Sequence, residues 1–183
     1  MSDIYIPIDF SDIKSVIPPG EDIIYSTMCR CLGVIKSIRK TKTIRWNTHV
    51  LLTPNGLAYI KPDFHKKKAP PSKVYTLWEK VFGMILIGGK GISTEGVDLN
   101  LIRNENFETK EKFETRVREF LIKFPPLIIE KKEQWLEHNL DNPEIKEQQK
   151  KFMKSSLYRL KGNYRRILAK EEKRLAKEAK KKK

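Results

Sequence analysis

Val50-Leu51-Leu52-Thr53-Pro54-Asn55-Gly56-Leu57-Ala58-Tyr59 holds a strand end, a tight turn and a second strand start within a few residues. Upstream, Ile44, Trp46, Thr48, Val50 and Leu52 alternate with Arg45, Asn47, His49 and Leu51, the period-two pattern of a strand with one face buried. Pro54 fixes φ at the second turn position, and Asn55-Gly56 accepts positive φ, so a hairpin is expected with its return strand at residues 57–61.

Working outward, Tyr25, Thr27, Cys29 and Cys31 share a face with Ile23 on a strand predicted over 23–31. Shorter strands are expected at 74–77, 84–87 and 97–102, separated by Gly88-Gly89-Lys90-Gly91 and Ser93-Thr94-Glu95-Gly96. Several short strands at this spacing predict a small barrel or sandwich of about seven antiparallel strands. The period then changes. Phe113, Val117, Phe120, Leu121 and Phe124 form the stripe of an amphipathic helix starting near Thr109. Pro125-Pro126 is expected to end or sharply bend it, with a second helical stretch at 127–140. Pro143 suits the first turn of a last helix, on which Met153, Leu157, Leu160, Tyr164, Ile167, Leu168 and Leu175 keep helical spacing. The expected organisation is a β-rich domain over 1–124, a helical connector over 125–142, and a basic amphipathic helix with a Lys-rich tail over 143–183.

The net charge of +15 on 183 residues is unevenly spread. Residues 1–140 hold 22 Lys/Arg against 17 Asp/Glu, whereas residues 141–183 hold 16 against 6. Charge concentrated at one end favours acidic partners: nucleic acid, an anionic membrane surface or an acidic protein face. The start, Met1-Ser2-Asp3-Ile4, lacks the basic and apolar regions of a secretory signal. The apolar run at 81–87 is far short of the ~20 residues a spanning helix needs. Cys29 and Cys31 stand at i, i+2, poorly placed to bridge one another, and there is no disulfide framework. The expected location is cytoplasmic, with peripheral attachment to a membrane compatible with the charge.

Short strands followed by one amphipathic helix give the chain an α+β order that resembles the pleckstrin-homology superfold over roughly residues 15–124. Ile17-Pro18-Pro19-Gly20-Glu21-Asp22-Ile23-Ile24 resembles the start of prokaryotic pleckstrin-homology-like and GRAM-like domains. The 50–59 segment is similar to their second hairpin. Trp78-Glu79-Lys80-Val81 sits where they carry the short strand leading into the second sheet, and the helix at 109–124 matches their capping helix in position. That helix carries Phe113, Phe120 and Phe124, whereas many eukaryotic members place a Trp there.

The resemblance implies that two basic connections open at one end of the barrel, where lipid-binding members hold inositol phosphate head groups. Lys36, Arg39, Lys40, Lys42 and Arg45 lie in and around the first. Lys61, His65, Lys66, Lys67, Lys68 and Lys73 lie in and around the other. Multiply charged phosphates need several Lys/Arg donors converging from different segments, so Lys36, Arg39, Lys40, Lys42, Arg45, Lys66, Lys67 and Lys68 are the candidate head-group ligands. The plain alternative is that both clusters are solvated loops of a Lys-rich protein. For the C-terminal helix, Lys161, Arg165, Arg166, Lys173, Arg174, Lys180, Lys181, Lys182 and Lys183 are candidate contacts to an anionic partner, whether membrane or RNA. The alternative there is a packing helix that covers the domain.

Catalytic signals are weak. His49, His65 and His138 are scattered, and Cys29 and Cys31 near His49 lack metal-ligand spacing. Gly88-Gly89-Lys90-Gly91 fails as a phosphate loop, because Gly91 stands where Ser/Thr should hold Mg²⁺; a turn needing positive φ explains the run better. Trp46 and Trp78 read as core or rim residues, and the sheet lacks the adjacent exposed aromatics of RNA-recognition sheets. The expectation is a non-catalytic adaptor with no cofactor and no metal, binding an anionic lipid surface or a protein partner. Nucleic acid bound through the basic C-terminal helix is the alternative.

Overall fold

A computed structural model describes residues 3–4, 13–36, 41–62, 70–81, 83–85, 91–94, 97–103, 106 and 108–181. The strands are β1 (Asp3–Ile4), β2 (Tyr25–Lys36), β3 (Thr41–Leu52), β4 (Gly56–Lys61), β5 (Ser72–Leu77), β6 (Gly83–Ile85), β7 (Gly91–Thr94) and β8 (Val97–Leu101), followed by helices α1 (Lys110–Asn139) and α2 (Glu147–Lys181). The class is α+β: a curled antiparallel sheet plus two C-terminal helices. Six strands of four residues or more form the half-barrel, rather than the expected seven or so; the three-residue β6 and two-residue β1 are appended to it. The order is β5-β4-β3-β2-β8-β7-β6, with β1 parallel to β3.

The hairpin at 53–56 forms, but by a different device from the one expected. Gly20 is the one residue with positive φ among those described. Thr53 makes the turn instead: its N–H donates to the Gly56 carbonyl (2.9 Å) and its hydroxyl accepts from the Asn55 and Gly56 amides. Glycine is needed at 56 because a Cβ there would lie 2.4 Å from the Thr76 carbonyl oxygen. Gly91 is likewise a strand residue rather than a positive-φ turn, its Cβ position filled by the Leu99 carbonyl of β8. Residues 88–90 fall outside the described residues.

The alternation holds in part: Ile23, expected on the same face as Tyr25, precedes β2 and is 38 % exposed, and Leu51, expected on the opposite face from Leu52, is fully buried. Thr27, Cys29 and Cys31 of β2 and Ile44, Trp46, Thr48, Val50 and Leu52 of β3 are all buried. Past Val50↔Tyr59 the β3–β4 register ends, and inward side chains take over the ladder's bonds. The Trp46 indole N–H donates to the Ile60 carbonyl (2.8 Å), and the Ile60 amide donates to the Thr48 hydroxyl (3.3 Å). Both the carbonyl and the amide of Ile60 thereby find partners on β3. The core continues into the lead-in segment through Ile13, Val16 and Ile17. Glu21 fastens that segment to the hairpin, its carboxylate accepting from Tyr75 (2.7 Å) and Asn55 (3.3 Å).

Helix α1 caps one end of the curled sheet. Val117, Phe120, Phe124 and Ile128 are buried, and Phe124 lies 5.2 Å from Tyr25 and 6.3 Å from Trp78 between ring centroids. Its start is fixed by Thr109, which accepts from the Lys112 amide, and by Arg116. The Arg116 guanidinium donates to Glu108 (2.8 Å), to the Thr27 hydroxyl and to the Ile102 carbonyl (2.9 Å).

The helix does not end at Pro125-Pro126. Helix α1 runs through both prolines, and Pro125 is buried with Phe124 and Ile128. Proline removes the amide that would bond the carbonyl four residues back; for Pro126 that carbonyl is Ile122. Tyr164 of α2 donates its hydroxyl to this carbonyl (3.3 Å), replacing the missing partner. The last helix also starts later than Pro143. Residues 142–145 form a turn, with the Asn142 side chain accepting from the Glu144 amide (2.9 Å). Gln149 then reaches back to the Lys146 amide (3.3 Å), so the helix begins at Glu147.

Candidate anion-binding surfaces

Strand directions decide where the two basic connections lie. From Tyr25, β2 runs away from the α1 end; β3 returns, and β4 runs away again to Lys61 before β5 comes back. The β2–β3 end at Lys36 and Thr41 and the β4–β5 end at Lys61 and Ser72 therefore both point away from α1; residues 37–40 and 63–69 lie outside the described residues. Beyond Gly33↔Val97, where pairing with β8 stops, β2 continues as a hairpin arm with β3 up to Lys36↔Thr41.

Of the candidate head-group ligands, Lys36 and Lys42 stand on this arm, paired with Thr41 and Ile35. Arg45 is half-buried, opposite Leu32 and beside Asp3 of β1. Arg39, Lys40, Lys66, Lys67 and Lys68 lie outside the described residues, as does His65. Lys61 ends β4 half-buried, and the Lys73 ammonium donates to the Ser15 hydroxyl (3.4 Å).

A second surface is built by α2, which folds back antiparallel on α1. Leu160 and Ser156 are fully buried and Met153 nearly so; Leu157, Tyr164, Ile167 and Leu168 are half-buried. The apolar stripe thus faces α1 rather than solvent, and only Leu175 of it is exposed. The charged residues separate accordingly. Lys161 pairs with Glu133 of α1, and Arg174 is clamped by Glu171 and Glu178 of its own helix. Both were candidate partner contacts; both are occupied within the chain. Arg165, Arg166, Lys173 and Lys180 are exposed on the outer face. The Lys181 side chain, Lys182 and Lys183 fall outside the described residues.

Sequence reading passed over the other exposed cations of this face: Lys151, Lys154, Arg159, Lys170 and Lys177. It also missed Tyr158, a tyrosine 81 % exposed among them. The signal that finds them is the helical complement of the buried stripe: residues about half a turn from Leu160.

Sequence reading also missed Lys132, which is 0 % exposed. Its ammonium donates to the Glu79 carbonyl (2.7 Å) and contacts the Met153 sulfur (3.4 Å), linking α1 to the turn after β5 and to α2. Burial pulls it down to about 8, partly opposed by the Glu79 carboxylate.

The chemistry-bearing residues elsewhere are dispersed. Cys29 and Cys31 are free and buried, and desolvation pushes the Cys29 thiol up to about 12 and Cys31 higher still. His49 is half-buried on β3, with its pKa lowered by desolvation, whereas His138 is exposed on α1 and bonds the Gln134 carbonyl. Trp46 and Trp78 are core residues, their indoles bonded to the Ile60 and Thr53 carbonyls. Among the described residues no group of three or more His, Cys, Asp or Glu is placed to hold a metal ion, and no helix is long and apolar enough to cross a membrane. No family model, curated protein or solved structure matches the chain.

Proposed function

We propose that the chain is a non-catalytic binding module of pleckstrin-homology type that engages anionic membrane head groups in the cytoplasm through the end of the sheet opposite α1. The observation that carries the reading is that the β2–β3 and β4–β5 strand ends both point away from α1, with Lys36, Lys42, Arg45 and Lys61 standing on those strands. A curled antiparallel sheet capped by a C-terminal helix is consistent with that fold type. Phosphate recognition requires donors brought together from separate segments, and this end supplies two of them. Helix α2 lacks the free apolar face of a membrane-lying helix, because that face is packed on α1.

The test is co-sedimentation of the full chain with vesicles of phosphatidylcholine alone and of phosphatidylcholine with phosphatidylserine and a phosphoinositide. Selective binding to the anionic vesicles is expected. Lys66→Glu/Lys67→Glu/Lys68→Glu is expected to weaken it at least a hundredfold, since each cation near an anionic surface contributes about 1 kcal/mol. Undiminished binding by the triple variant removes the loop end from the account.

A further inference from the structure

The outer face of α2 is ordered as well as charged. Its 35 residues hold thirteen Lys/Arg against four Glu. Arg159, Arg166, Lys173 and Lys180 recur every seventh residue along one side of the face, all exposed. Four positions before each stands a small residue: Ser155, Gly162, Ala169 and Ala176. On the far side of these small residues run Lys151, Tyr158, Arg165 and Glu172, also exposed. Seven residues are just short of two turns, so each series is a nearly straight row along the helix. Between Lys151 and Lys180 the face extends about 44 Å. It is a shallow channel floored by small side chains, with four cations on one bank and Lys151, Tyr158, Arg165 and the acidic Glu172 on the other.

Gly162 is the odd residue in this order. Glycine inside a helix costs stability relative to alanine. A Cβ at Gly162 meets nothing within 4 Å, so no packing inside the chain requires its absence.

We infer that this face binds single-stranded nucleic acid, its phosphodiester backbone lying along the channel and Tyr158 stacking on a base. Charge complementarity selects a polyanion, and it excludes a second copy of this helix, which would set the same cations against one another. Apart from Phe152, 43 % exposed one heptad before Arg159, and Tyr158, the face carries no large apolar side chain and offers little of the usual source of protein–protein affinity; polyelectrolyte binding needs none, since release of condensed counterions drives it. A flat bilayer would meet only the tips of the banks, whereas a convex phosphate ridge reaches the floor. An exposed tyrosine among cations is the pairing by which single strands are held without sequence preference. This surface is independent of the head-group site, since it lies on a different element.

The experiment is fluorescence anisotropy of the full chain with a labelled RNA of about 20 nucleotides, titrated over a range of salt. Arg165→Gln/Arg166→Gln is expected to weaken binding and to lower the slope of log affinity against log salt by about 1.4, two phosphate contacts on a single strand. Tyr158→Ala is expected to cost roughly tenfold. Gly162→Leu fills the channel floor with a better helix former. It should raise the urea midpoint while weakening RNA binding, a divergence that a purely structural role for Gly162 does not produce. Lys66→Glu/Lys67→Glu/Lys68→Glu should retain RNA binding. An unchanged salt slope in the double arginine variant overturns the inference, as does unchanged affinity in Gly162→Leu. Loss of anionic-vesicle binding in the arginine variant with RNA affinity intact overturns it in favour of a membrane contact.

Discussion

Replacing Lys132 by methionine tests the junction that holds the helical hairpin on the sheet. The ammonium is fully buried, and burial lowers its pKa to about 8 against about 10.4 in an unfolded chain. The unfolded state therefore holds the proton more tightly, and stability rises with pH between these two values rather than falling. Integrated from about pH 7 to about pH 9.5, the gain is about 2 kcal/mol for the native chain. Lys132→Met removes the titrating group while keeping the volume. It also leaves the Glu79 carbonyl without its donor, which costs about 1–3 kcal/mol, and relieves an ammonium burial of about 3 kcal/mol. The net change at neutral pH is consequently small, and the pH dependence carries the information. The assay is urea unfolding of both proteins at the two pH values. Subtracting the variant cancels the other titrating groups, Tyr75 among them, whose phenol is pushed up to about 12 chiefly by burial. Parallel pH dependence of the two proteins refutes the reasoning, because it places the Lys132 ammonium in water.

Tyr164→Phe should destabilise the chain by about 1 kcal/mol in urea unfolding, because the Ile122 carbonyl opposite Pro126 loses its donor; an unchanged midpoint shows that the proline-bearing turn needs no help from α2. Gly56→Ala should cost more than about 2 kcal/mol, given the Thr76 carbonyl at 2.4 Å from the added carbon, and a stable, fully folded alanine variant contradicts the close approach. For Glu21, burial opposes ionisation, but hydrogen bonds from Thr53, Tyr75 and Asn55 outweigh it and hold the carboxyl below its usual value. The stability it contributes is present above the ordinary carboxylate range and lost as pH falls through its lowered value. Glu21→Gln should therefore flatten the acid limb of the stability curve, and an acid limb identical to that of the native chain removes Glu21 from it.

Elements stabilised by their own residues were legible in the sequence. The β3 alternation and the stripe through Phe120 and Phe124 each report a single face on a single element, and the structure buries those faces. The continuity of α1 was not legible, because the donor that compensates Pro126 sits nearly forty residues away on another helix. Lys132 was hidden inside Glu130-Lys131-Lys132-Glu133, which reads as a solvated run. Its position four residues after Ile128, in line with Phe124 and Phe120, was the available signal. In the basic tail, composition could not separate Lys161 and Arg174, spent on Glu133, Glu171 and Glu178, from Arg165 and Arg166 facing outward. That division appears only once α1 fixes which side of α2 is inward.

Two independent anion-binding surfaces on one chain are the central claim, and a crossed comparison tests it most directly. Lys66→Glu/Lys67→Glu/Lys68→Glu and Arg165→Gln/Arg166→Gln would each be measured against anionic vesicles and against single-stranded RNA at one salt concentration. The first variant is expected to lose vesicles and keep RNA, and the second to lose RNA and keep vesicles. If both variants lose both ligands in equal measure, the chain acts as one diffuse cationic surface, and the claim of two sites is contradicted.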